Sequence, residues 1–167
     1  AALAVDADIK AFLYRNPDLI ALCHWNANID NGWYWRNDEG ELQCGLMDWG
    51  RVGQMTVAQA IYGAFSGADK SLWDEHLDDI VQLFVDEYAR HGGPSLDVAE
   101  LKLHTLLVTA TMGLAYLMDA PAIIERQIPD LSSVTGPEDE IFRSKEDARV
   151  QLHMLTMFLN QWQTQNM

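Results

Sequence analysis

From Gly53 to the C-terminus the apolar residues recur at three- and four-residue spacing, and upstream only the stretch from Trp33 to Met47 alternates like a strand pair. That division predicts a mainly helical chain with one β-hairpin. Asp6 to Tyr14 places Ile9, Phe12 and Leu13 on one helical face and ends ahead of Asn16-Pro17. Thr56 is placed to cap a helix running to about Phe65. Ser71 opens another, with Leu72, Leu77, Ile80, Val81, Phe84 and Val85 as its apolar stripe and an acidic opposite face from Asp74 to Glu87. His91-Gly92-Gly93-Pro94 stops that helix, and Ser95 or Asp97 starts the most apolar one, ending near Pro121.

Residues 128–143 hold Pro129, Ser132, Ser133, Gly136 and Pro137 and read as a surface connector. Ser144 and Asp147 form a capping-box-like start for a last helix carrying Ala148, Leu152, Leu155, Leu159 and Trp162. The hairpin itself is marked by Trp33-Tyr34-Trp35, the polar turn Asn37-Asp38-Glu39-Gly40, and Leu42 to Met47. The expected class is therefore α+β, mainly α with one hairpin. We expect a single domain: a lobe over 1–127 including hairpin 33–47, the connector, and a C-terminal helix over 144–167 that packs on the same lobe.

An apolar content of 49% excludes disorder, and a net charge of −14 repels phosphate backbones and anionic lipid heads. Nucleic-acid and membrane-surface partners are not expected. The run from Leu101 to Met118 is long enough to suggest a membrane span, but Lys102 and His104 make a core helix the better reading. Cys23 and Cys44 have neither CxxC nor zinc spacing, which together with the lack of a signal-like start favours a reducing cytoplasm. The chain begins Ala1-Ala2-Leu3, as a processed chain, a trimmed one or a piece of a longer one would.

The segment LCHWNANIDNGWYWRNDEGELQCGLMDWG, Leu22 to Gly50, resembles the phosphotransferase core of the aminoglycoside phosphotransferase and choline kinase family. In that family a His-Gly-Asp-x-x-x-x-Asn loop is followed by a hairpin and an apolar-apolar-Asp-Trp/Phe segment. Here His24 takes the loop His, Asn26 the position of the catalytic Asp, Asn31 the loop Asn, and Leu46-Met47-Asp48-Trp49 the second segment. The resemblance implies the helical C-terminal lobe of a protein-kinase-like fold, with Mg²⁺ and ATP as cofactors and a small-molecule acceptor. His24 would brace the loop backbone, and Asn31 and Asp48 would hold the metal.

Phosphoryl transfer needs a carboxylate and an amide oxygen converging on Mg²⁺ from neighbouring segments. Asn31 lies just before the first strand of the expected hairpin and Asp48 just after the second, so antiparallel pairing would make them neighbours. Two departures set this chain apart. Asn26 accepts a hydrogen bond but is no base, and loss of a general base costs about 10²–10⁴ in rate. A degenerate enzyme, an active one using Asp30 instead, or a deliberate Asn-for-Asp change would each account for it. In addition, nothing ahead of Leu22 offers a Gly-rich phosphate loop or a strand lysine, so another lobe or chain would have to complete an ATP site. The acidic surface would suit a cationic acceptor. The competing class is a helical interaction module that keeps the hairpin as scaffold. The aromatic residues Trp25, Trp33, Trp35 and Trp49 are expected to pack cross-strand rather than to form a stacking platform.

Overall fold

The computed structural model describes residues 4–165 and 167. Helices dominate: α1 (Asp6–Leu13), α2 (Val57–Phe65), α3 (Lys70–Arg90), α4 (Val98–Tyr116), α5 (Ala120–Gln127) and α6 (Glu146–Thr164). Among the described residues four short strands accompany them, β1 (Ile20–His24), β2 (Gly32–Arg36), β3 (Leu42–Leu46) and β4 (Val52–Thr56). The α+β class is as expected, but there are two two-stranded antiparallel sheets rather than one hairpin. Strands β2 and β3 form the expected hairpin with Trp33 opposite Gly45 and Trp35 opposite Gln43, while β1 pairs with β4 around it, Ile20 opposite Thr56 and His24 opposite Val52.

Strands β1 and β4 are both additional to the expected hairpin. In β4, Val-Gly-Gln-Met-Thr shows no strong apolar alternation, and its pairing partner lies on the far side of the hairpin, so no local signal marks it. Helix α2 nevertheless runs Val57–Phe65, the span expected after Thr56. Thr56 is then the N-cap by position only: its side chain makes no capping bond, and its buried Oγ1 has no hydrogen-bond partner among the described residues.

The chain divides into two compact units, one formed by residues up to 68 with 76–108, the other by 69–75 with residues from 109 onward. The first is built around Leu13, Leu19, Val57, Ala58, Ile61, Leu77, Val81 and Leu101, all buried. Burial of the Leu, Val and Ile side chains among them contributes about 1.5–3 kcal/mol each. The α3 stripe is as expected at Leu77, Val81 and Val85. Its stop is a Schellman turn, in which Gly92 takes φ +90° while the Gly93 N–H donates to Tyr88 O at 2.9 Å and the Gly92 N–H to Ala89 O at 3.0 Å. Of the two starts considered for α4, Asp97 is the one used: its Oδ1 accepts the Glu100 N–H at 2.7 Å. Long and apolar enough to cross a membrane by length and composition, α4 nevertheless has Leu101, His104, Thr105 and Val108 buried inside the protein.

In the second unit α5 packs on α6, and Gly113 lies against the ring of Phe158, leaving no space for a β-carbon. Pro121 sits in the first turn of α5, where its missing N–H costs nothing. The connector is more than surface. Ile128 and Phe142 are buried with Ile124 and Ala148, and Val134, Ile141 and Leu152 pack against them. Ser144 does not cap α6; its hydroxyl donates to Ile141 O at 2.9 Å, closing the turn before the helix instead.

Candidate functional site

The resembling segment lies wholly in the first unit, and its loop, residues 25–31, joins the outer strand pair to the hairpin. Leaving β1, Trp25 passes so close to α2 that its carbonyl rests on Gly63, where a β-carbon would lie 2.5 Å from the Trp25 carbonyl carbon and nearer still to its oxygen. The Arg51 guanidinium stands over the Trp25 ring, 6.0 Å from its centroid. Asn31 donates from Nδ2 to the carbonyl of Asn26 at 2.8 Å. Asn28 donates from Nδ2 to Asn26 Oδ1 at 3.1 Å and accepts the Asp30 N–H at 3.1 Å, which sets the 3₁₀ turn Ile29–Asn31.

His24, nearly fully buried at the end of β1, reaches across to the second segment. Its Nε2 is 2.8 Å from Met47 O; a carbonyl only accepts, so Nε2 carries the proton and donates. That assigns the tautomer and leaves Nδ1 a buried acceptor without a partner among the described residues. The ring meets Trp49 edge-on at 4.9 Å. Trp49 is itself tied down by its Nε1–H, which donates to Leu46 O at 3.0 Å.

These contacts bring two of the named residues to one place. Met47 N–H donates to Asn31 O at 2.9 Å, extending the hairpin ladder by one pair, and Asp48 follows directly. Asp48 has φ 58° and ψ 55°, making it the one non-glycine residue with positive φ among those described. A left-handed backbone at a non-glycine position persists where the surroundings impose it, and such positions concentrate at functional sites. Its carboxylate is exposed and makes no ion pair among the described residues.

The other named residues are placed differently. Asn26 is half-buried with its Oδ1 occupied by Asn28. Asp30 is exposed on the 3₁₀ turn, and the side-chain bond of that turn comes from Asn28 rather than from Asp30. Among the described residues no three His, Cys, Asp or Glu side chains cluster as metal ligands. The pair Asn31 and Asp48 supplies one amide and one carboxylate oxygen. Because Asn31 spends its Nδ2 on Asn26 O, its Oδ1 remains an acceptor, and an amide and a carboxylate oxygen are of the type a magnesium ion takes.

Trp33, Trp35 and Trp49 are not core residues: all three are exposed, and only Trp25 is half-buried. A two-stranded hairpin has no layer behind it to cover both faces, so Trp33 folds across Gly45 and stacks with Trp35 at 6.0 Å, in the light of solvent on its other side. Gly63, Arg51 and Asn28 were invisible to motif reading because they act on the backbone or ring of the loop from outside the motif or without matching its pattern. No family model matches the chain, and neither a curated protein nor a solved structure matches it.

Proposed function

We propose that this chain is the helical lobe of a small-molecule phosphotransferase-like protein whose loop base has been replaced by Asn26. The observation that carries the reading is the bond from His24 Nε2–H to Met47 O, which with the Asn31–Met47 backbone pair sets the loop beside Asp48. A resembling loop needs such a brace, since the amide and carboxylate it presents are separated by a whole hairpin in sequence. In this reading Asn31 and Asp48 hold Mg²⁺, which when bound would neutralise the phosphates of ATP. Asn26 would orient the acceptor hydroxyl through its amide oxygen without taking the proton. The phosphate-covering loop and the lysine would come from another lobe or chain, because none of β1–β4 contains a lysine.

Two experiments test this. In a two-lobed protein carrying this chain, Mg·ATP should raise the melting temperature, and Asp48→Ala should abolish the rise. In the same protein Asn26→Asp should increase ATP turnover at least tenfold. Absence of both effects would remove the phosphotransfer reading. The same outcome would favour the second reading, a helical interaction module, which the exposed aromatic hairpin supports on its own.

A further inference from the structure

We infer that the β2 edge of the hairpin is a docking strand for an extended, basic polypeptide segment. The inference does not rest on the phosphotransfer reading.

Three features meet on this hairpin. Both of its outer edges are unpaired among the described residues, since β2 and β3 pair only with each other. The bonds Met47 N–H to Asn31 O and Asn37 N–H to Glu41 O place odd-numbered residues of β2 in the hydrogen-bonded pairs, so Gly32, Tyr34 and Arg36 turn their N–H and C=O groups to the free edge. Such an edge is a template for an added strand.

Both faces are also apolar and exposed. Trp33 and Trp35, 47% and 44% exposed, stand on one face, and Tyr34 at 53% with Leu42 at 63% on the other. A small planar ligand would cover one face only. An added strand covers both, because its side chains alternate across the sheet.

Charge selects the partner. Between residues 30 and 51 the exposed charged residues are Asp30, Asp38, Glu39, Glu41 and Asp48 against Arg36 and Arg51, in a chain of net charge −14. A second copy of the chain would bring like charge to like. The alternation continues past Trp35 to Asn37 and its opposite residue Glu41, whose carboxylate accepts from Asn37 Nδ2 at 3.0 Å, so an acid closes the turn end of the tryptophan face. Arg36 belongs to the opposite face and is engaged with Gly40 O at 2.7 Å. Arginine or lysine at alternate positions of an incoming strand would thus lie over Trp33 and Trp35, with apolar residues between them against Tyr34.

The test uses the 167-residue chain and a fluorescent heptapeptide, Val-Arg-Val-Arg-Val-Arg-Val, followed by anisotropy. Binding is expected to weaken at least tenfold for a Trp33→Ser/Trp35→Ser variant whose circular dichroism is unchanged. It should weaken similarly when glutamate replaces arginine in the peptide, and when alternate peptide nitrogens along the pairing edge are methylated. A Trp35→Phe variant keeps an aromatic face and should retain most of the affinity, which separates the face from a folding defect. Equal binding of the acidic or methylated peptide would overturn the proposal. So would a dimer in sedimentation that the double variant dissolves, which would give the face to a second copy.

Discussion

Gly63→Ala tests the packing that positions the candidate loop. At an ordinary helical glycine the change to alanine stabilises by about 1 kcal/mol, because alanine loses less backbone freedom on folding. At Gly63 the sign should reverse. The added carbon would stand 2.5 Å from the Trp25 carbonyl carbon, and reaching an ordinary contact of 3.4 Å requires the loop and α2 to separate by about 0.9 Å, with more needed for the oxygen. Both partners are backbone, so no rotamer can absorb the clash. Overpacking of this kind costs about 1–3 kcal/mol or more. Set against the propensity gain, the net loss reaches about 2 kcal/mol or more, and the melting temperature falls by roughly 4–8 °C or more for a chain of this size. Gly67, where an added carbon meets nothing within 4 Å, is the control, and Gly67→Ala should change the melting temperature little. Thermal circular dichroism gives the stabilities. The amide resonances of Trp25, Asn26 and Asn31 report the loop and should move only in Gly63→Ala. A Gly63→Ala protein as stable as the parent, with those resonances in place, would refute the close approach.

Two further perturbations follow from the same unit. Burial holds the His104 imidazole below its ordinary value of 6.5, with Glu100 pulling it up and Arg15 pushing it down, so the folded chain favours the neutral ring. The unfolded state then binds more protons as pH falls through 6.5; the stability is fully present above that value and is lost below it, and a His104→Gln variant should lose less between pH 7.5 and 5.5. Parallel stability curves for the two proteins would contradict this. Asp48→Gly should relieve the left-handed backbone and raise stability by up to about 1 kcal/mol in denaturant titration, while removing any Mg²⁺-dependent stabilisation of a two-lobed protein. A loss of stability would mean the Asp48 side chain contributes to the fold.

Most helices were legible because their information is local; α5 was not, because Pro121 reads equally as a stop for α4 and as the first turn of a new helix. The stripe of α3, the Gly92-Gly93 stop and the Asp97 start each depend on residues within a few positions of one another, and all three appear in the structure. The hairpin was legible for the same reason, its turn being closed by Asn37 and Glu41. Strands β1 and β4 were not, because Ile20 and Thr56 find each other across more than thirty residues and neither advertises it. The caps assigned to Thr56 and Ser144 failed for different reasons. One hydroxyl is buried by the strand pair, and the other is taken by the carbonyl of Ile141. At the candidate site the motif picked out residue types, whereas Gly63 and Arg51 lie outside it and had no pattern to reveal them.

The position of Asn26 makes its replacement an informative experiment. The contacts that shape the loop there are directed at backbone or at neighbours: Gly63 receives the Trp25 carbonyl, Asn31 donates to the Asn26 carbonyl, and His24 donates to Met47. Among the described residues the one bond to the Asn26 side chain is accepted by its Oδ1 from Asn28. An aspartate would accept the same bond, with a charge to strengthen it. The loop therefore has no need of the amide, and Asn26→Asp should fold as the parent does. A lack of turnover in that variant would then report on the chemistry of the cleft rather than on a broken loop. Restored turnover would mean that the carboxylate was the one part missing from an otherwise maintained site.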